Sequence, residues 1–134
     1  MKYLLDTSVC VELIRGKRAR LLKRMAERPT SDFAISSITL AELQYGAEKS
    51  GRPPHQRQTL ETFLLAIAVI DFDSEAAAAY GKMRVPLEAA GTPIGALDTL
   101  IAAHALSRNL ILLTHNLREF KRVRGLKVED WTKG

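Results

Sequence analysis

Short apolar runs along the chain each hand over to a longer amphipathic stretch. Tyr3-Leu4-Leu5 is followed by Val9, Leu13 and Ile14 at helical spacing. Phe33-Ala34-Ile35-Ser36 leads through Ser37-Ile38-Thr39 into residues 40–47, whose apolar spacing again reads as helix. A helix over residues 56–65 turns Leu60, Phe63 and Leu64 inward, and residues 66–72 form a third strand candidate. An Ala-rich helix then runs from Ala76 to about Ala90, capped by Ser74-Glu75 and stopped by Gly91. After the loop Thr92-Pro93-Ile94-Gly95, residues Leu100, Ile101, Ala103, His104 and Leu106 recur with helical period. Leu110-Ile111-Leu112-Leu113 has the continuous apolar character of a strand buried on both faces. Leu126-Lys127-Val128-Glu129 adds an edge strand, with Trp131 covering the core. Strands alternating with helices predict an α/β fold in three layers, a mostly parallel central sheet with helices on both faces.

The polar residues at the strand-to-helix junctions then stand out. Asp6 follows the first strand, Glu42 falls in the first turn after the second, Asp98 opens its helix, and Asn116 follows the last buried strand behind Thr114-His115. Open parallel sheets bind ligands beyond their carboxyl edge, so these four side chains are expected to converge there. Two carboxylates about 4 Å apart repel by roughly 4 kcal/mol at an effective dielectric near 20. A divalent cation or a shared proton must offset that. Carboxylates, an amide oxygen and hydroxyls suit Mg²⁺ or Mn²⁺. Zinc is disfavoured, because there is one Cys and His55, His104 and His115 show no paired ligand spacing. A metal-dependent phosphodiesterase is the leading reading of the pattern. Each acid also has a structural alternative: Glu42 in a Thr39-x-x-Glu42 capping box, Asp98 as a helix N-cap, and Asp6 as a plain strand end, with Thr7 or Ser8 capping the next helix.

Composition changes the picture in one respect. The 134 residues carry a formal charge of +5, and the excess is clustered. Arg15, Lys17, Arg18, Arg20, Lys23, Arg24 and Arg28 face only Glu27, and Arg118, Lys121, Arg122, Arg124 and Lys127 follow the last buried strand. Acids inside a basic surface suit a nuclease, whose cations hold the phosphate backbone, although a solvated helix face explains one basic stretch alone. Residues 1–134 are read as a single domain. Cys10, beside Val9 and Leu13, is expected to be a buried, inert thiol. A first strand at residue 3 and the absence of any apolar run near 20 residues lead to the expectation of a soluble, cytoplasmic chain with no membrane association. A phosphoacceptor receiver domain fits poorly, since Thr7-Ser8 follow Asp6 where an acidic pair is needed, and Ser8 likewise breaks the D-x-D motif of dehalogenase-type phosphatases.

The segments LLDTSVCVELI, SSITLAELQYGAEKS and GTPIGALDTLIAAHALSRNLILLTHNLREFKRVRGLKVEDW together resemble PIN-domain ribonucleases of the VapC toxin type, essentially end to end. The resemblance implies that Asp6, Glu42 and Asp98 bind Mg²⁺ or Mn²⁺ and that the position of Asn116, Asp or Asn in that family, completes the site. Thr7 or Ser8, and Thr114, match hydroxyl positions lining the pocket. His115 stands where relatives more often carry Asn. The implied activity is cleavage of RNA, often transfer RNA, by a toxin that a VapB-type antitoxin blocks, with homodimers and toxin–antitoxin hetero-oligomers as the assemblies. Arg15, Lys17, Arg18, Arg118 and Arg122 are then candidate RNA contacts. Glu119 is either an outer ligand or, as preferred here, a salt-bridge partner of Arg122 or Lys121. With Asn at 116 in place of an acid, the alternative is a catalytically silent module that binds RNA or antitoxin.

Overall fold

A computed structural model describes residues 1–16 and 18–132. Five strands, β1 (Tyr3–Leu5), β2 (Phe33–Ser36), β3 (Ala68–Ile70), β4 (Ile111–Leu113) and β5 (Val128–Glu129), form one sheet in the order β3-β2-β1-β4-β5. Every pairing is parallel. The helices are α1 (Thr7–Arg15), α2 (Ala19–Ala26), α3 (Ser37–Lys49), α4 (Pro53–Leu64), α5 (Ser74–Ala89), α6 (Ala96–Ser107) and the one-turn α7 (Leu117–Phe120). The chain winds outward from β1 through β2 to β3, then returns to the other side of β1 for β4 and β5. That reversal makes the β1/β4 boundary the topological switch point, where an open α/β sheet leaves a crevice at its carboxyl edge.

The buried strands are short and apolar on both faces because both faces are covered. Along β1, Tyr3 and Leu5 join Val9, Leu21, Ile35 and Leu60 in one core, while Leu4 joins Ala34, Met83, Ile101 and Leu112 in the other. Successive side chains of a strand point to opposite faces, so a three-residue run serves two cores. Cys10 is buried in the first core, as expected from its neighbours, and burial pushes its thiol pKa well up. Trp131 closes that core by packing edge-on to Tyr3 and Phe33.

Several local readings are revised. Residues 19–26, read as a basic stretch or a solvated helix face, form α2, which buries Leu21. The guanidinium of Arg24 lies 4.6 Å from the Trp131 ring centre and that of Arg28 5.2 Å from Tyr3, so part of the cationic stretch covers an aromatic edge. The Ala-rich helix is capped by Asp73, which accepts from the Ala76 N–H, rather than by Ser74-Glu75. The third strand is confined to Ala68–Ile70. No helix among the described residues is long and apolar enough to cross a membrane.

Candidate active site

Asp6 leaves β1 directly into α1 and is itself the N-cap of that helix. Its Oδ1 accepts from the Val9 N–H at 2.9 Å and from the Ser8 hydroxyl at 2.8 Å, and its Oδ2 accepts from the Thr114 hydroxyl. Capping therefore falls to Asp6 and not to Thr7 or Ser8. Because the side chain is almost wholly buried, desolvation raises its pKa, partly offset by these hydrogen bonds and by His115. Thr114, at the end of β4, is fully buried and also accepts from the Asn116 N–H at 2.9 Å. One hydroxyl thus ties the carboxyl ends of β1 and β4 together.

Glu42 sits farther into α3 than the spacing suggested. The helix begins at Ser37, and Ser36, the last residue of β2, caps it by accepting from the Ile38 N–H at 3.0 Å. The Thr39-x-x-Glu42 capping box is therefore absent, and Glu42 lies beyond the first turn. Its Oε1 accepts from the Thr7 hydroxyl at 2.6 Å, across the gap between α3 and α1. Thr7 also approaches Thr39, at 3.3 Å.

Asp98 is the third residue of α6, whose N-cap is Gly95 with no side-chain cap. It is half-buried, and its pKa is pushed from 3.8 to about 6, first by desolvation, then by repulsion from Glu119, Asp6 and Glu42. That repulsion is the electrostatic signature of convergence: three acids from three other elements act on one carboxyl group.

Glu119 on α7 is the residue whose role was misread. Its Oε1 accepts from the Gly95 N–H at 2.9 Å and its Oε2 from the Asn116 amide at 2.6 Å. No salt bridge to Arg122 or Lys121 forms; Arg122 donates instead to the Pro93 carbonyl. A Cβ at Gly95 would lie 3.5 Å from Asp98 Oδ2 and 3.9 Å from Glu119 Oε1, so these two acids flank the same backbone point. Placing Glu119 required α7, a four-residue helix that brings it back over Asn116. Spacing alone gives no such signal.

Asn116 is exposed, and with its amide nitrogen turned to Glu119, its oxygen is left for other partners. Ser8 reaches the site only through Asp6. Of the basic candidates, Arg15 and Arg118 are exposed without an ion pair among the described residues, and Arg18 is paired with Glu12 at 3.0 Å. Lys17 lies outside the described residues.

Among the described residues no three His, Cys, Asp or Glu side chains stand at ligand spacing about one point. The carboxylate oxygens turn instead to Thr7, Ser8, Thr114, Asn116 and the Gly95 N–H. The donor chemistry nonetheless fits a hard divalent cation: four carboxylates and an amide oxygen, all oxygen, with the Asp98 pKa raised to about 6 by burial first and then by neighbouring negative charges that a cation would neutralise.

Residues 3–126 match the PIN domain family. The chain is 44% identical over 131 residues to the tRNA(fMet)-specific endonuclease VapC of Salmonella typhimurium, covering 98% of each. The chain is a PIN domain of the VapC family. It is also 40% identical over 131 residues to ribonuclease VapC2 of Haemophilus influenzae, covering 98% of each. Among solved structures it superimposes on the DNA-bound VapBC complex of Salmonella typhimurium with a TM-score of 0.93 at 44% identity, covering 98% of each chain. The three-layer architecture expected from the apolar pattern is thus that of the PIN domain. Within this VapC fold the acids occupy the switch-point crevice, and Glu119 brings the number of carboxylates to four although residue 116 is an amide.

Proposed function

We propose that this VapC-family chain is an endoribonuclease toxin that uses Mg²⁺ or Mn²⁺, cuts transfer RNA, and is neutralised by a VapB-type antitoxin. The observation that carries the reading is the convergence of Asp6, Glu42 and Glu119 on a half-buried Asp98, whose carboxyl pKa is pushed to about 6 by desolvation first and then by those three charges. Four acids so arranged destabilise the protein unless a cation joins them, and the chain's net charge of +5 leaves a surface suited to a polyanion. Asp6 and Asp98 would hold the metal, with Glu42 and Glu119 completing its charge and the Asn116 oxygen a weak further donor. A bound divalent cation lowers the pKa of a coordinated water and neutralises charge developing on a scissile phosphate.

The chain's own residues fix the geometry for that chemistry. Ser8, Thr114 and the Val9 N–H hydrogen-bond to both oxygens of Asp6 and so orient its carboxylate. Thr7 does the same for Glu42. The relatives named above supply the substrate and partner. One is specific for tRNA(fMet), and VapBC pairs are a family of toxin–antitoxin systems. Initiator transfer RNA is accordingly the first substrate to test. A homodimer, alone or within the antitoxin complex, is the proposed assembly, and the single domain spans residues 1–134.

The test is cleavage of initiator and bulk transfer RNA by the purified chain with Mg²⁺, Mn²⁺ or EDTA. Discrete fragments that require the metal are expected. Absence of cutting in both metals, or cutting indifferent to EDTA, would reject the reading. A second prediction concerns Asn116→Asp. It adds a charged ligand but replaces a 2.6 Å amide hydrogen bond to Glu119 with a like-charge contact. Mn²⁺ affinity measured by calorimetry should rise about tenfold while the metal-free protein loses about 1 kcal/mol in urea titration. Unchanged affinity would remove Asn116 from the metal site.

A further inference from the structure

A cleft of about 350 Å³ opens beside the acids, between α1, α3 and α4. Thr7 and Glu42, which are hydrogen-bonded to each other at 2.6 Å, form one end of it, so it is continuous with the candidate active site. Its floor is apolar, from Val11, Ile14, Leu43 and Leu60. Its rim carries Arg15 and Gln56. Neither has a side-chain partner among the described residues: Arg15 forms no ion pair, and the Gln56 amide makes no hydrogen bond while Gln56 itself is only partly exposed. Gly46 lines the same cleft in the interior of α3. A Cβ there would meet nothing within 4 Å, and its backbone is right-handed, so neither packing nor conformation in this chain demands glycine.

We propose that this cleft is a nucleotide subsite that receives one unpaired base of the RNA next to the scissile phosphate. The proposal rests on the ribonuclease reading and extends it to how substrate is seated. The size is that of a small-ligand site with an apolar floor and few polar anchors. A flat base lies on Leu43 and Leu60, the Gln56 amide offers a donor and an acceptor to a base edge, and Arg15 offers its charge to the neighbouring phosphate. A peptide segment would use the apolar floor equally well. It would not need an amide and an unpaired guanidinium flanking the acids that do the cutting, and that polar rim favours a nucleotide.

The experiment pairs two substitutions at a position that the fold leaves open. Gly46→Ala adds a methyl into free space and Gly46→Leu fills the cleft, so both variants are expected to retain the fold, which circular dichroism checks. Steady-state cleavage of transfer RNA is measured for both beside the wild type, and the four nucleoside monophosphates are titrated into the metal-free wild type while the Gly46, Ala47 and Gln56 amide resonances are followed. At least one nucleotide should shift those resonances saturably. Gly46→Leu should raise KM for RNA by at least about fivefold, the size expected for losing the apolar contact of one base, with a smaller rise for Gly46→Ala. Gln56→Ala should also raise KM and blunt the preference among nucleotides. Wild-type KM in Gly46→Leu, or no nucleotide shifting those resonances, overturns the subsite, including the case where Gly46→Leu impairs only antitoxin binding. Failure of the wild type to cut any RNA is a separate result that strikes the ribonuclease reading itself.

Discussion

Asp98→Asn should lower metal-dependent RNA cleavage by about a thousandfold, equivalent to about 4 kcal/mol of transition-state stabilisation, while making the metal-free protein more stable. The second half follows from the electrostatics. Burial and the charges of Glu119, Asp6 and Glu42 raise the Asp98 pKa from 3.8 to about 6. A carboxyl whose pKa is raised by folding opposes folding whenever it is ionised. Its penalty is absent below about pH 3.8, grows as pH rises to about 6, and is complete above that. Because the group is half exposed, solvent screening reduces the penalty to about 1 kcal/mol. The neutral amide removes it at pH 7. Thermal unfolding in EDTA should therefore show Asp98→Asn melting above the wild type at pH 7.5 and level with it near pH 4. Added Mn²⁺ should reverse the order, since only the wild type gains strongly from the ion. A variant that is both inactive and less stable at pH 7.5 would mean that Asp98 is a structural residue and that the acids do not repel.

Why some of this was legible in sequence and some was not follows from range. The strands β1, β2 and β4 are contiguous apolar runs, so their place in a parallel sheet could be read directly, and the switch-point rule then placed Asp6 and Asn116 at one edge. Local capping was read less well. Three short polar residues compete at each of the β1–α1 and β2–α3 junctions, Asp6, Thr7 and Ser8 at the first and Ser36, Ser37 and Thr39 at the second, and only the backbone angle at Asp6 and Ser36 decides which one caps. Once Ser36 takes that role, Glu42 is freed from capping and meets Thr7, a contact across 35 positions that no local pattern encodes. Glu119 failed for the same reason: its neighbours in sequence, Lys121 and Arg122, offered an ion pair, whereas its partners Gly95 and Asn116 are supplied by tertiary structure. The basic stretch was read as a phosphate grip or a solvated helix face and not as aromatic packing, because stacking of Arg24 on Trp131 joins residues over 100 positions apart.

His104 carries the second large effect, in stability rather than chemistry. It is fully buried on α6, six residues after Asp98, and its Nδ1 lies 2.8 Å from the Ser36 hydroxyl that caps α3, the helix of Glu42. Phe72, in the loop after β3, packs edge-on against the ring, and its N–H donates to Ser37. The imidazole thus pins together the two helices that present Glu42 and Asp98. Truncation to alanine leaves a cavity and a capping hydroxyl with one partner lost, expected to cost about 3 kcal/mol, a large share of an ordinary domain's stability. His104→Asn keeps a polar atom near the Nδ1 position and should recover part of that loss, whereas His104→Leu, closer in bulk, should not recover the hydrogen bond. Burial lowers the His104 pKa, so the folded state disfavours the imidazolium and wild-type stability falls as pH drops below the ordinary value of 6.5. This is opposite in sign to the Asp98 contribution, and His104→Asn should abolish it. Urea titrations at pH 7.5 and 5.5 measure both effects. If alanine and asparagine destabilise equally and the pH dependence survives, His104 fills space and pins nothing. If asparagine restores stability and Mn²⁺ affinity together, the buried Ser36–His104 contact sets the spacing of the acids that the cation must bridge.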